Sequence, residues 1–259
     1  MSIAILGHVL AVGIGLSLGL IGGGGSILAV PILVYVMGLG GREAIAMSLF
    51  IVGSVSLLGV ISYARQGLVK WRVVAGFTPA AMIGAYSGTQ LVKLPWITET
   101  VQLVSFGVVM LAASVLMIRR GSGQPKPPSI NLSSDCTPRR LALWLIIATR
   151  GLCVGTITGF VGVGGGFLII PALVLLSRIP MKMAVGTSLL IIALNSAVGF
   201  IGYLGQVSID WNLTISFTLA AAVGTVSGSS LSQLVEANRL QKGFGYFVLV
   251  VAVFVLVQR

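Results

Sequence analysis

Charge is what this sequence has least of. Only 8% of its 259 residues are Asp, Glu, Lys or Arg, against roughly 25% in an ordinary soluble domain. A water-soluble fold of this length could not cover its surface with so few charges. A secreted domain, a soluble enzyme and a disordered chain are therefore excluded. Asp and Glu together number 5, and histidine occurs 1 time. Glu43, Glu99, Asp135, Asp210 and Glu236 all fall at loops or segment ends, which argues against a carboxylate proton relay. His8 sits early in the first apolar run and reads as interfacial, so no Ser/His/Asp set can be assembled. The two cysteines, Cys136 and Cys153, have no metal-ligand spacing and read as unpaired thiols. No P-loop is present. The chain reads as a non-enzyme without metal or cofactor. Its N-terminus lacks the basic start and cleavage site of a signal peptide, so the first apolar run is expected to be retained.

Apolar residues are what the sequence has most of. They make up 56% of the chain, and the mean hydropathy is +1.08. The reading that remains is an all-α polytopic membrane protein. A net charge of +11 invites a nucleic-acid partner, but Lys and Arg fall in short gaps between apolar runs. The main cluster, Arg119, Arg120, Lys126, Arg139 and Arg140, lies in one connecting segment. Such basic loops set membrane orientation and touch anionic lipid.

The sequence repeats itself at an offset of 140 residues. Leu20–Pro31 falls on Phe160–Pro171, and the same ungapped offset pairs Ser48 with Ser188, Ser56 with Ser196, Tyr63 with Tyr203, Gln66 with Gln206, Trp71 with Trp211 and Gly84 with Gly224. About 27 of the 76 positions from Gly19 to Leu94 match their counterparts. Shared hydrophobicity could match Leu with Val, but not Pro, Tyr, Gln and Trp in register. The expected organisation is a first transmembrane repeat at 1–119, a cytoplasmic linker at 120–139 and a second repeat at 140–259.

Each repeat holds five apolar segments, roughly 3–21, 26–38, 44–63, 72–92 and 100–118, then 141–161, 167–177, 184–204, 212–232 and 241–258. Most approach the roughly 20 residues needed to span a bilayer. The second of each set is short and follows a glycine run, so it is either a tilted span or the returning arm of a re-entrant hairpin. Both options leave an odd number of crossings per repeat, which inverts the two repeats relative to each other. With the linker inside, Arg65, Lys70, Arg72, Arg178, Lys182, Arg239 and Lys242 also fall inside, as the positive-inside rule requires.

Inverted repeats with paired glycine interruptions indicate a secondary transporter, its site near the midplane between the repeats. The interruptions are Gly22–Ser26 and Gly162–Gly166. A helix restarting after each would offer free N–H groups and a partial positive charge to an anion. The alternative is close helix packing, which small residues also permit. The expected substrate shell is Gly24, Gly25, Ser26, Ser48, Gly164, Gly165, Gly166, Thr187, Ser188 and Asn195. For each hydroxyl the competing role is an interhelical hydrogen bond; Asn195 stands apart because a buried amide needs several partners. Ser54, Ser56 and Ser196 lie at similar depth. Arg150, the one cation inside an apolar run, either attracts the anion or snorkels to headgroups. The partners expected are a small anion and membrane lipid, without nucleic acid; a homodimer is compatible with the sequence.

The doubled Gly-x-Gly-Gly-Gly-x4-Pro-x-Leu pattern, complete at Gly162–Leu173 and varied at Gly22–Leu33, resembles that of the TauE/SafE sulfite exporter family. Ala46-Met-Ser48, Gly186-Thr-Ser188 and the Tyr-x2-Gln pair before a tryptophan fit the same pattern. The resemblance covers nearly the whole chain except the linker. It implies a carrier in the bacterial inner membrane for sulfite, a sulfonate such as sulfoacetate, or a related sulfur or carboxylate anion. A passive anion channel, an integral-membrane enzyme and an assembly factor are the rival classes.

Overall fold

The computed structural model describes residues 2–92, 99–120, 137–161, 166–176, 179–203 and 207–257. In chain order its helices are α1 (Ser2–Ile21), α2 (Gly24–Pro31), α3 (Gly41–Arg65), α4 (Trp71–Val92), α5 (Glu99–Arg120), α6 (Thr137–Val161), α7 (Gly166–Pro171), α8 (Met181–Tyr203), α9 (Trp211–Leu234) and α10 (Ala237–Val257). No strand occurs among the described residues. The apolar runs have become helices, and the short second run of each repeat has become a short helix, α2 or α7.

Those short helices share an irregular ending. α2 and α7 each reach a proline, Pro31 and Pro171, and pass into a π-helical turn at Ile32–Val36 and Ala172–Leu176. Proline has no N–H to continue the α-helical ladder, and the backbone re-phases after it. The same long-turn bond closes both, Leu39 N–H to the Leu33 carbonyl at 3.2 Å and Ile179 N–H to the Leu173 carbonyl at 3.1 Å. These residues differ by the sequence offset, so the repeat is structural down to single hydrogen bonds.

Two compact units form, and each takes helices from both repeats. The first comprises Met1–Val69 with Lys182–Glu236, and the second Lys70–Met181 with Ala237–Arg259. The packing units thus cut across the sequence boundaries near 119 and 140. In the first unit α1 lies on α9: a Cβ on Gly15 would sit 1.8 Å from the Ala221 carbonyl oxygen, and one on Gly224 would sit 2.1 Å from that of Val12. Only glycine allows such backbone approach. Gly19 meets Thr225 and Gly228 meets Leu16, so the contacts advance together and the helices run parallel. In the second unit α6 lies on α4 in the same register. A Cβ on Gly155 would be 2.1 Å from the Ala81 carbonyl, and one on Gly84 would be 2.3 Å from that of Leu152. Also in that unit, the buried Gln241 on α10 donates to the Met117 carbonyl on α5 at 3.1 Å.

The equivalent helices α3 and α8 meet inside the first unit. Gly53 abuts Ser196, Gly59 abuts Leu189 and Gly186 abuts Tyr63; as one chain advances the other retreats, so they are antiparallel. α3, α8 and α9 are long and apolar enough to cross a membrane. Their outer faces are correspondingly oily: Leu219 and Val223 on α9, and Ile201 on α8, are exposed. The described acids occupy helix ends. Glu43 lies in the first turn of α3, and Asp210 caps α9 by accepting the N–H groups of Asn212 and Leu213 at 3.0 and 3.1 Å. His8 packs against Phe217 in a tilted arrangement, ring centroids 4.9 Å apart and planes 55° from parallel.

Candidate substrate site at the broken helix

The first glycine run is a helix break. α1 stops at Ile21 because Gly22 adopts φ +82°, its N–H returning to the Leu18 carbonyl at 2.7 Å. Only glycine takes this left-handed backbone without strain. Gly23 precedes the restart and offers no side-chain cap to α2, so the first N–H groups of α2 lack intrahelical acceptors. Gly22, Gly23, Gly24 and Gly25 are all buried. The arm then folds back along α1: Gly25 packs on Ile14 and Leu18, and Met37 reaches Gly7.

Within this run the glycines do different work. A Cβ on Gly25 would meet the Ile14 carbonyl oxygen at 2.4 Å and Leu18 Cγ at 2.5 Å, so Gly25 is a packing glycine. Gly22 faces α8, where a Cβ would lie 2.8 Å from Ser188 Oγ and 2.9 Å from Val185 Cγ1. The two readings of the run, break and close packing, both hold, each for its own residue.

The structure brings together Gly24, Gly25, Ser26 and Ser188 around the break. Their hydroxyls serve backbone carbonyls: Ser26 donates to Gly23 at 2.8 Å, and Ser188 lies within donating distance of Gly22 at 3.2 Å and Val185 at 2.8 Å. Thr187, buried beside Ser188, donates to Met183 at 2.6 Å. Ser48 is buried but is not brought to the break. It donates to Ile45 at 2.8 Å and precedes Tyr63, which reaches the end of α1, by about 22 Å of helix at 1.5 Å per residue. Asn195 is half-buried on α8, and its Oδ1 is enclosed without a hydrogen-bond partner. In the second unit, Gly166 is the buried first residue of α7, while Gly164 and Gly165 lie outside the described residues.

Three groups at the break went unassigned in the sequence. Tyr63, with 2% of its surface exposed, donates its hydroxyl to the Gly19 carbonyl at 2.9 Å and touches the Ser232 hydroxyl. Thr225 donates to the Gly15 carbonyl at 2.9 Å. Ser17 Oγ, one turn before the break, is enclosed without a partner, as is Ser56 Oγ on α3. The doubled Tyr63/Tyr203 was the one available signal, since a matched tyrosine within an apolar run has a hydroxyl to satisfy.

The described residues hold three helices long and apolar enough to cross a membrane and, in the first unit, a buried helix break, features that fit a membrane transporter. The family model for the sulfite exporter TauE/SafE matches residues 8–255, and the chain belongs to that family. It is 32% identical over 248 residues to a probable membrane transporter protein of Xylella fastidiosa (strain 9a5c), covering 94% of this chain and 91% of that one. The probable membrane transporter protein YdhB of Bacillus subtilis is 25% identical over 225 residues, covering 85% and 87%. One from Methanocaldococcus jannaschii is 28% identical over 190 residues, covering 71% and 66%. No solved structure matches.

Proposed function

We propose that this transporter carries a small sulfur-containing oxyanion or organosulfonate, of the sulfite or sulfoacetate kind, and that the anion docks at the α1–α2 break. One observation carries the reading: the α2 N-terminus is buried and its N-cap, Gly23, makes no side-chain bond, whereas the Gly19 carbonyl near the end of α1 takes the Tyr63 hydroxyl. A buried helix N-terminus, whose first N–H groups have no intrahelical acceptors and which carries a positive partial charge, suits a ligand that only accepts hydrogen bonds. Sulfite, sulfonates and carboxylates share that property. The family name and the relatives' names support transport, and the choice of a sulfur anion follows the family.

The inverted-repeat reading has its own support in the antiparallel packing of the equivalent α3 and α8, and in the odd number of crossings per repeat. We place the protein in the bacterial inner membrane with the 120–139 linker in the cytoplasm, on the charge pattern. The test is purified protein in proteoliposomes with sulfite, thiosulfate, sulfoacetate, taurine and simple carboxylates. Saturable uptake with counterflow of labelled anion is expected of a carrier, whereas a channel gives flux without exchange. If none of these anions moves and a cation does, the anion reading falls.

A further inference from the structure

We propose that Tyr63 determines the selectivity of this site by occupying a backbone carbonyl that the break in α1 leaves available. A broken helix presents two opposite poles. The restarting end offers N–H donors to anions, and the terminating end offers carbonyls to cations; discontinuous helices in transporters bind both kinds of ion in this way. Which pole acts depends on which is left unsatisfied.

At the terminating pole, the Gly19 carbonyl is covered from outside α1. α1 ends at Ile21, so its last carbonyls lack intrahelical donors. The Leu18 carbonyl takes the Gly22 N–H at 2.7 Å. The Gly19 carbonyl takes the Tyr63 hydroxyl at 2.9 Å, and the Gly22 carbonyl lies 3.2 Å from the Ser188 hydroxyl, which is nearer the Val185 carbonyl of its own helix at 2.8 Å. Farther back, within α1, the Gly15 carbonyl also takes the Thr225 hydroxyl. Hydroxyls from α3 and α8 thus lie at the end of α1 and the break, and the N-cap of α2, Gly23, has no side chain to cover the restarting end. An anion near the break meets a helix N-terminus without a side-chain cap, beside a Gly19 carbonyl that Tyr63 covers.

Tyr63 is held for this task. It lies at the end of α3, where Gly67 at φ +68° and the Leu68 N–H to Tyr63 carbonyl bond of 3.0 Å close the helix. Gly186 gives its ring room, since a Cβ there would be 2.8 Å from Tyr63 Cβ. Ser232 touches the phenol oxygen and also reaches the Ser229 carbonyl at 2.9 Å. Two hydroxyl protons serve three contacts, so with the Tyr63 proton on Gly19, the Ser232 proton is shared between Ser229 and the phenol oxygen. Removing the Tyr63 hydroxyl frees the Gly19 carbonyl, whose negative end repels an approaching anion.

The inference rests on the break being the anion site, and the experiment separates the two. Wild-type protein, Tyr63→Phe, Ser232→Ala and Ser232→Thr are compared for sulfite transport and for sulfite-dependent thermal stabilisation, which follows occupancy. Tyr63→Phe keeps the ring; it should raise the sulfite KM about 5–10-fold with Vmax retained, the size set by one lost hydrogen bond. Ser232→Ala should raise KM about 2–3-fold by the same reasoning. Ser232→Thr should restore the wild-type value, and the Tyr63→Phe/Ser232→Ala double variant should be no worse than Tyr63→Phe alone. A wild-type KM in Tyr63→Phe overturns the role of Tyr63. So does a loss of ligand-free stability and Vmax at constant KM, which marks a structural pin. If sulfite and the other anions stabilise no form of the protein, the site reading itself is overturned and this inference with it.

Discussion

Replacing Gly22 with alanine puts the break itself at risk. The residue sits at φ +82°, and a side chain there costs about 1–2 kcal/mol in backbone strain. The added Cβ would also lie 2.8 Å from Ser188 Oγ, 2.9 Å from Val185 Cγ1 and 3.0 Å from Val185 Cα. The Ser188 hydroxyl can rotate, but Val185 Cα belongs to a helix backbone and cannot. Overpacking of that kind adds about 1–3 kcal/mol, for a total of about 2–5 kcal/mol. Gly38 supplies the comparison: its φ is +71°, yet a Cβ there meets nothing within 4 Å. Gly38→Ala therefore isolates the backbone cost of about 1–2 kcal/mol. Thermal unfolding in detergent, with and without sulfite, measures both quantities. Gly22→Ala should melt below Gly38→Ala and lose its sulfite-dependent shift, because α2 can no longer restart at the same place. Equal melting temperatures, with the sulfite shift intact in both, would show that neither the turn at Gly22 nor its contact with α8 shapes the site.

Other substitutions probe the rest of the fold. Gly84→Ala, whose Cβ would sit 2.3 Å from the Leu152 carbonyl and 2.8 Å from the Thr156 nitrogen, should separate α4 from α6 and cut expression and melting temperature sharply, whereas Gly13→Ala, with nothing within 4 Å, should melt like wild type. Asp210→Ala removes the cap of α9 and should cost about 1 kcal/mol, with Asp210→Asn near neutral; equal melting of the two would refute the capping role. Amide replacement of Glu43, Glu99, Asp135, Asp210 and Glu236 in turn should leave anion transport largely intact, since none lies in the middle of an apolar run. Loss of proton-driven uptake in one normally expressed variant would identify a coupling carboxylate.

Helix positions were legible because the signal behind them is hydrophobic run length, which bilayer thickness sets and packing scarcely alters. α3 was expected at 44–63 and occupies Gly41–Arg65; α9 was expected at 212–232 and occupies Trp211–Leu234. The repeat was legible because sequence offset needs no structure. Which helices pack together was not. Gly15, Gly155, Ala81 and Ala221 all lie in apolar runs, and only the fold shows that α1 chooses α9 and α6 chooses α4. Small residues mark where helices can approach, not which helix approaches. The candidate site was partly legible for the same reason. The sequence placed Ser48 with Ser188 because the two are repeat partners, yet Ser48 donates within its own helix and of the two only Ser188 lies near the Gly22 carbonyl.

The glycine run shows where the remaining information lies. From sequence, Gly22 and Gly25 are interchangeable members of one run. The fold separates them by backbone geometry: Gly22 is needed for its positive φ, and Gly25 because α1 leaves no room for a Cβ. The hydroxyls divide in a similar way. Ser26, Thr187 and Ser188 were expected to offer protons to a substrate, and in the fold they are engaged with carbonyls. For an anion site this exchange is productive. A hydroxyl that masks a carbonyl removes a repulsive dipole, and at the proposed site this would leave the N–H groups of α2 as the main source of attraction, fixed by the backbone and independent of side-chain rotamers. Selectivity then resides in what the side chains cover as much as in what they present.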